Sequence, residues 1–141
     1  MTINGLSVNL ASPVLASPVA TIEIKETKNL SVPEYVEKYF SDVPVLVEVA
    51  KCESHMRQED KNGEVIRGEV NGYDRGVMQI NEQYHLKRSK ALGMDILTLQ
   101  GNLSYARHLF EKEGLQPWSA SRPCWSKSTA YAEYKNQLAV K

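Results

Sequence analysis

The segment that begins at Pro44 constrains the fold of this chain more than any other. Proline is tolerated in the first turn of a helix, and four apolar residues follow at intervals that place them on one helical face: Val45, Val49, Cys52 and Met56. This periodicity predicts an amphipathic helix whose apolar face is buried. Glu53 borders that face, one turn beyond Val49, near the C-terminal end of the helix.

Helix-terminus signals predict the other helices. Ser31-Val-Pro-Glu34 has the pattern of a capping box and predicts a short helix through about Phe40. Two further helices, 83–92 and 102–113, are expected to end at Gly93 and Gly114. A last helix is predicted in the polar tail after residue 127, on Tyr131, Tyr134 and Leu138.

The stretch between Met56 and the helix predicted at 83–92 differs in composition. It is polar and contains Asn62-Gly63, the strongest two-residue hairpin signal, followed by the β-favouring run Glu64-Val-Ile-Arg67. A small exposed β-hairpin is expected here, followed by the compact apolar segment GVMQIN. The predicted class is α+β, mainly helical, with one small β-hairpin insertion and a domain over 31–141.

The first thirty residues give a weaker signal. Residues 1–30 contain two copies of Ala-Ser-Pro-Val, at Ala11 and Ala16, and no basic residue before Lys25. A secretory signal needs an early positive charge and an uninterrupted apolar core, which Pro13 and Pro18 interrupt. This segment is interpreted as a disordered leader or linker, with the remnant of a signal segment as the alternative.

Composition excludes several classes of function. The chain has 141 residues, which suit one domain, and 17 basic residues balance 17 acidic ones. Net charge therefore gives no support for nucleic-acid or anionic-membrane binding, and no apolar run is long enough to span a bilayer. No glycine loop for phosphate, nucleotide site or metal cluster is recognisable, so no cofactor and no metal are expected. The chain is expected to be a monomer.

The two cysteines, Cys52 and Cys124, leave two interpretations open. They could form one disulfide that closes a long loop, or remain two buried thiols, since cysteine is among the most buried residue types. Without other Cys or His residues at ligand spacing, they do not indicate a zinc site.

Glu53 and Asp74 are the candidate catalytic residues. Burial and the negative end of a helix dipole both raise the pKa of a carboxyl group, as a general acid near neutral pH requires. The alternative is a surface glutamate that pairs with Lys51 or Arg57. Asp74 follows a turn-rich polar stretch, where solvent is expected to keep it ionised. Two carboxyl groups in contrasting environments are the arrangement used in glycoside cleavage.

The order of motifs CES, DRGVMQIN and NLSYARHL resembles the lysozyme-like superfamily. In c-type lysozymes, Glu-Ser ends a helix and an Asp-x-Gly-x-x-Gln-Ile-Asn run follows a hairpin. Soluble lytic transglycosylases carry Glu-Ser and Gly-Leu-Met-Gln in the same order. The resemblance covers roughly residues 45–125 and implies a lysozyme-like fold.

The resemblance also implies roles for individual residues. Glu53 takes the general acid/base position, and Asp74 falls where c-type lysozymes keep their second carboxylate. PWSAS, at 117–121, stands where many transglycosylases have Ala-Tyr-Asn-Ala-Gly, which leaves Trp118 as the nearest aromatic residue. The substrate-binding residues implied are Ser54, Gln79, Asn81, Asn102, Tyr105 and Trp118. A Cys52–Cys124 bridge would hold the helix that carries Glu53 against the segment after PWSAS.

The implied activity is cleavage of the β-1,4 bond between N-acetylmuramic acid and N-acetylglucosamine in peptidoglycan. Lytic transglycosylation by Glu53 alone is the favoured mechanism, and hydrolysis by Glu53 with Asp74 is the alternative. A non-catalytic peptidoglycan-binding module is the alternative of another class. The partner is then the glycan strand, and the location is extracytoplasmic or phage-delivered.

Histidines and tryptophans have structural alternatives as well. His55 and His85 titrate near physiological pH, yet both are expected to be polar surface or structural residues. Trp118 could stack on a sugar or pack in the core, and Trp125 is expected in the core.

Overall fold

The computed structural model describes residues 29–141, which form six α-helices, one 3-10 helix and a two-stranded antiparallel sheet. The helices are α1 (Val32–Tyr39), α2 (Pro44–Ser54), α3 (Glu82–Ala91), α4 (Leu99–Glu113), α5 (Arg122–Trp125) and α6 (Thr129–Ala139). The strands are β1 (Asp74–Arg75) and β2 (Ile80–Asn81), and the 3-10 helix is Gln116–Ser121. The mainly helical class with a small sheet is confirmed. Apart from its last two residues, the predicted leader, 1–30, lies outside the described part.

Local capping chemistry explains where the helices begin. The Ser31 hydroxyl accepts from the Glu34 amide, and the Glu34 carboxylate accepts from the Ser31 amide at 2.8 Å, so the predicted capping box is present. Asn81, Thr98 and Ser128 cap α3, α4 and α6 in the same way, each accepting from a backbone amide of the first turn. The fourth helix starts at Leu99, three residues earlier than its apolar pattern predicts, because Thr98 provides the cap.

Helix α2 lies at the centre of the hydrophobic core. It packs against α1, α5, α6 and the 3-10 helix. Its predicted apolar face is buried at Val45, Val49 and, just beyond the helix, Met56. The same cluster also contains Phe40, Leu103, Tyr105 and both tryptophans. Glu53 is therefore carried by a helix that other elements hold on several sides.

The predicted hairpin is present as a turn but contributes only isolated bridges to the sheet. Gly63 has a φ of 78°, and its amide donates to the Asp60 carbonyl at 3.1 Å, as expected for an Asn-Gly turn. The residues on either side pair only at Glu59 with Val65. The regular pairing occurs later, between β1 and β2, where Arg75 lies opposite Ile80 and both are buried. Burial fixes the register there, whereas the exposed Asn62-Gly63 turn has no such constraint.

The turn that joins β1 to β2 enters the core and is held there by buried side chains. Gly76 has a φ of 70°, and a Cβ at this position would lie 2.5 Å from Gln58 Oε1, so a larger residue would be strained and would displace a side chain that binds the turn. Four buried side chains bind the turn backbone: Ser54 Oγ donates to Val77 O (2.8 Å), Trp118 Nε1 to Met78 O (2.9 Å), and the amides of Val77 and Met78 donate to Gln58 Oε1 and Asn102 Oδ1 (2.9 Å each).

A disulfide joins Cys52 on α2 to Cys124 on α5, with their Cα atoms 6.0 Å apart. Of the two interpretations that the sequence allowed, the bridge is the one observed. Disulfides persist in oxidising environments, which agrees with an extracytoplasmic location. Over 29–141, every helix is too short or too polar to cross a membrane.

Candidate active site

Glu53 is the penultimate residue of α2 and opens into a cleft. The helix ends at Ser54 because His55 adopts a left-handed conformation, with a φ of 54°. The cleft has a volume of about 400 Å³ and lies between the sheet, α3, α4 and the 3-10 helix. Its polar lining consists of Glu53, Asp74, Gln79, Asn81, His85, Glu113 and Gln116, and its apolar lining of Ile80, Leu109, Pro117, Trp118 and Ala120.

The Glu53 carboxyl group is half-buried, and its protonated form is favoured. Burial is the main cause that raises the pKa of Glu53, and the nearby charge of Asp74 raises it further. A hydrogen bond from Ser121 Oγ to Glu53 Oε1, 2.5 Å long, opposes both effects by stabilising the carboxylate. Glu53 thus has the property predicted for it, that of an acid that stays protonated above its ordinary range.

Asp74 lies on β1, lines the same cleft as Glu53, and is held by Asn81. Asn81 Nδ2 donates to Asp74 Oδ1 at 3.2 Å, and the two residues are paired in the sheet. The sequence predicts a solvated carboxylate here, whereas Asp74 is partly buried, and burial raises its pKa despite the bond from Asn81. The difference arises because β1 pairs with β2 and turns the side chain into the cleft.

His85 lies one helical turn after Asn81 and adds a polar group to the same cleft. Its Nδ1 atom is 3.0 Å from the Tyr105 hydroxyl. Burial lowers the pKa of His85, although the charge of Glu113 partly opposes this, so the imidazole is neutral near neutral pH. The histidine is therefore a hydrogen-bonding group here and not a cation.

The structure brings some of the predicted residues together and places the others behind the cleft. Glu53, Asp74, Gln79, Asn81 and Trp118 line it. Ser54, Asn102 and Tyr105 are each no more than 2% exposed, and their polar groups bind the turn between the strands or His85. Both polar ends of the Asn102 amide are occupied: its Oδ1 accepts from the Met78 amide, and its Nδ2 donates to the carbonyls of Arg75 and Ile96. These three side chains support the cleft wall.

Four polar residues of the site do not follow from the sequence reasoning: His85, Glu113, Gln116 and Ser121. His85 has a usable signal, because a helix capped by Asn81 places the residue four positions on above the cap. Ser121 has none, since its contact with Glu53 spans 68 residues. Glu113 and Gln116 flank the helix-ending Gly114, where sequence alone indicates only solvated residues.

A larger cavity, of about 720 Å³, lies elsewhere, between α6, the start of α2 and Phe110. It is lined mainly by apolar side chains, and the carboxylate of Asp42 at its edge is held by Arg107 at 2.8 Å. The smaller cleft, which contains Glu53 and Asp74, is therefore the candidate site for acid–base chemistry. Within 29–141, the structure contains no group of three or more Cys, His, Asp or Glu residues arranged to hold a metal ion.

The cleft can donate a proton from Glu53 to a bound oxygen atom while a second carboxyl group, Asp74, lies nearby. Gln79 and Asn81 contribute amide groups to the lining, and Trp118 contributes apolar surface. Comparison of the chain with protein-family models, with curated proteins and with solved structures gave no match.

Proposed function

We propose that this protein cleaves the glycan strands of peptidoglycan at the β-1,4 bond between N-acetylmuramic acid and N-acetylglucosamine, by lytic transglycosylation. The observation that carries the proposal is the half-buried Glu53, whose raised pKa suits a proton donor at the edge of an open cleft. The order of the Glu-Ser, GVMQIN and NLSYAR motifs, which resembles that of the transglycosylases, supplies the substrate class.

In the first step, Glu53 acts as the general acid. Its proton passes to the glycosidic oxygen, the bond between C1 of muramic acid and that oxygen breaks, and the bonding electrons stay with the oxygen. N-acetylglucosamine leaves as an alcohol, and positive charge develops at C1 and the ring oxygen. The Glu53 carboxylate that remains stabilises this charge.

In the second step, Glu53 acts as the general base. The 6-hydroxyl of the same muramic acid attacks C1, and its proton returns to the Glu53 carboxylate. The product carries a 1,6-anhydro ring, no water is consumed, and the acid is regenerated. One carboxyl group therefore serves both steps.

Hydrolysis by a lysozyme mechanism is the second candidate, and the position of Asp74 in the same cleft favours it. In that mechanism Asp74 stabilises or captures the cationic centre, and water is the final acceptor. That role needs an ionised carboxylate: burial raises the pKa of Asp74, whereas the hydrogen bond from Asn81 Nδ2 lowers it and stabilises the ionised form. The burial of Asp74 therefore supports the mechanism in which Glu53 works alone, whereas the bond from Asn81 favours the hydrolytic alternative.

The test is mass spectrometry of the fragments released from purified peptidoglycan by the wild-type chain, by Glu53→Gln and by Asp74→Asn. Wild-type products one water lighter than reducing-end fragments are expected. Glu53→Gln should reduce the rate by about 10²–10⁴-fold, and Asp74→Asn by much less. Glu37→Gln, an exposed glutamate on α1, is the matched control and should cleave at the wild-type rate.

Reducing ends, together with a loss of about a hundredfold or more in Asp74→Asn, would replace transglycosylation by hydrolysis. Binding of glycan without release of any fragment would instead identify a non-catalytic module. Undiminished lysis by Glu53→Gln would contradict the catalytic assignment itself.

A further inference from the structure

The Glu53 side chain makes one hydrogen bond among the described residues, and its partner is Ser121. Ser121 Oγ lies 2.5 Å from Glu53 Oε1. Ser121 is the last residue of the 3-10 helix and is partly buried beside the cleft. The contact joins two segments separated by 68 residues.

The geometry indicates the direction of this hydrogen bond. The Ser121 hydroxyl carries one proton and has two acceptors within reach, Glu53 Oε1 at 2.5 Å and the Trp118 carbonyl at 3.2 Å. The Trp118 carbonyl already accepts from Trp125 Nε1 at 3.0 Å. In either ionisation state Glu53 Oε1 is the closer acceptor, and among the described residues it accepts from no other donor. The hydroxyl therefore donates to Glu53.

We propose that Ser121 is a positioning residue that holds the Glu53 carboxyl through Oε1 and so assigns the transferable proton to Oε2. This inference rests on the proposed function and deepens it. With Oε1 engaged as an acceptor, the proton of the acid form lies on Oε2, which is the oxygen free to meet the glycosidic oxygen. Rotation of the carboxyl group, which would exchange the two oxygens, breaks the bond to Ser121.

Both ends of this contact are fixed by the fold. Trp118, three residues before Ser121, donates from Nε1 to the Met78 carbonyl. The disulfide links Cys52, the residue before Glu53, to Cys124, three residues after Ser121. Acid and positioning residue are thus held by a covalent bond on one side and a buried hydrogen bond on the other.

The hydrogen bond from Ser121 also affects the pKa of Glu53. The titratable groups that share the cleft with Glu53 are Asp74 from β1, His85 from α3 and Glu113 from α4. Burial and Asp74 raise the pKa of Glu53, and the bond from Ser121 lowers it. Loss of the hydroxyl should raise that pKa further and extend the protonated, active form to higher pH.

The test compares Ser121→Ala and Ser121→Thr with Ser119→Ala in the full chain. Ser119 is an exposed serine on the same 3-10 helix and is the matched control. Two quantities are measured: the pKa of Glu53 by carboxyl ¹³C NMR titration without substrate, and the dependence of kcat and KM on pH with peptidoglycan.

Ser121→Ala should raise the pKa of Glu53, shift the alkaline limb of kcat/KM to higher pH by the same amount, and lower kcat about tenfold with little change in KM. Ser121→Thr, which keeps a hydroxyl, should restore most of the pKa and of kcat. Ser119→Ala should match the wild type in both measurements.

An unchanged pKa of Glu53 in Ser121→Ala that is folded by circular dichroism would overturn the inference. So would a fall in kcat with no movement of the pH profile, since that is what a purely structural role produces. A wild-type chain that cuts no glycan would contradict the proposed function, and the NMR titration would still decide whether Ser121 holds Glu53.

Discussion

At the scale of single residues, the chain places a carboxyl group where folding alone would not favour one. Glu53 borders the buried face of α2, and burial raises its pKa, so its ionised form is less stable in the folded protein than in the unfolded chain. The bond from Ser121 recovers part of this loss. Carboxyl groups whose burial raises their pKa and lowers the stability of the fold are typical of functional sites.

Glu53→Gln is accordingly expected to stabilise the protein at neutral pH. The pKa of Glu53 is raised above its ordinary value of 4.5, so the folded state holds a proton over a pH range in which the unfolded state has lost it. Stability therefore falls as pH rises through that range, and the whole penalty is present above the folded-state pKa. The variant removes the penalty, and the carbonyl oxygen of the introduced glutamine side chain still accepts from Ser121.

The measurement is the melting temperature of wild type and Glu53→Gln at about pH 7 and about pH 4. The variant should melt higher at the first pH, and the difference should shrink at the second, where Glu53 is largely protonated in both states. Glu37→Gln is the exposed control and should shift little at either pH. A Glu53→Gln protein that melts lower than wild type at about pH 7 would contradict the argument.

At the scale of elements, the turn between β1 and β2 organises the site. Its backbone is bonded by buried side chains from α2, α4, the 3-10 helix and the loop that follows α2. The polar residues Ser54, Gln58 and Asn102 are buried because they satisfy this backbone, which otherwise would be left without partners in the core. Gln79, at the end of the turn, is thereby directed into the cleft.

Gly76→Ala should therefore destabilise the protein strongly. Its left-handed backbone strains any other residue, and a Cβ would lie within 2.6 Å of Asn102 Nδ2 as well as against Gln58. We expect a loss of about 3 kcal/mol or more in the free energy of unfolding, measured by urea denaturation. Gly63→Ala is the matched control, because it has a similar φ with no atom within 4 Å, and it should cost about 1 kcal/mol. Equal losses in the two variants would refute the steric argument.

At the scale of the whole molecule, the sequence predicts what local chemistry determines. Ser31, Pro44 and Gly114 carry their signals within one helical turn, so the helices they bound were predictable. That Glu53 and Asp74 line one cleft was predictable from the order of two short motifs that resemble those of a known superfamily. The Ser121 contact and the burial of Asn102 were not, because each depends on segments that meet only after folding. The regular strands, β1 and β2, do not flank the Asn62-Gly63 turn but lie farther along the chain, where burial fixes their register.

The disulfide joins two segments that are far apart in sequence, and its loss should lower global stability. Cys52 and Cys124 are 72 residues apart, so the bridge removes much conformational freedom from the unfolded chain. In the loop-entropy treatment this is worth about 4 kcal/mol. A Cys52→Ser, Cys124→Ser double variant should therefore unfold at a clearly lower urea concentration than the oxidised wild type.

The wild type treated with a thiol reductant is the matched control, since it lacks the bridge and keeps both sulfur atoms. Reduced wild type and double variant should unfold at similar urea concentrations. If the reduced protein instead unfolds with the oxidised one, while the double variant alone is weakened, side-chain packing and not the cross-link provides the stability. The cross-link also holds α5, and with it the neighbourhood of Ser121, against α2. Under the proposed function, reduction should therefore lower the rate of glycan cleavage at urea concentrations well below those that unfold the chain.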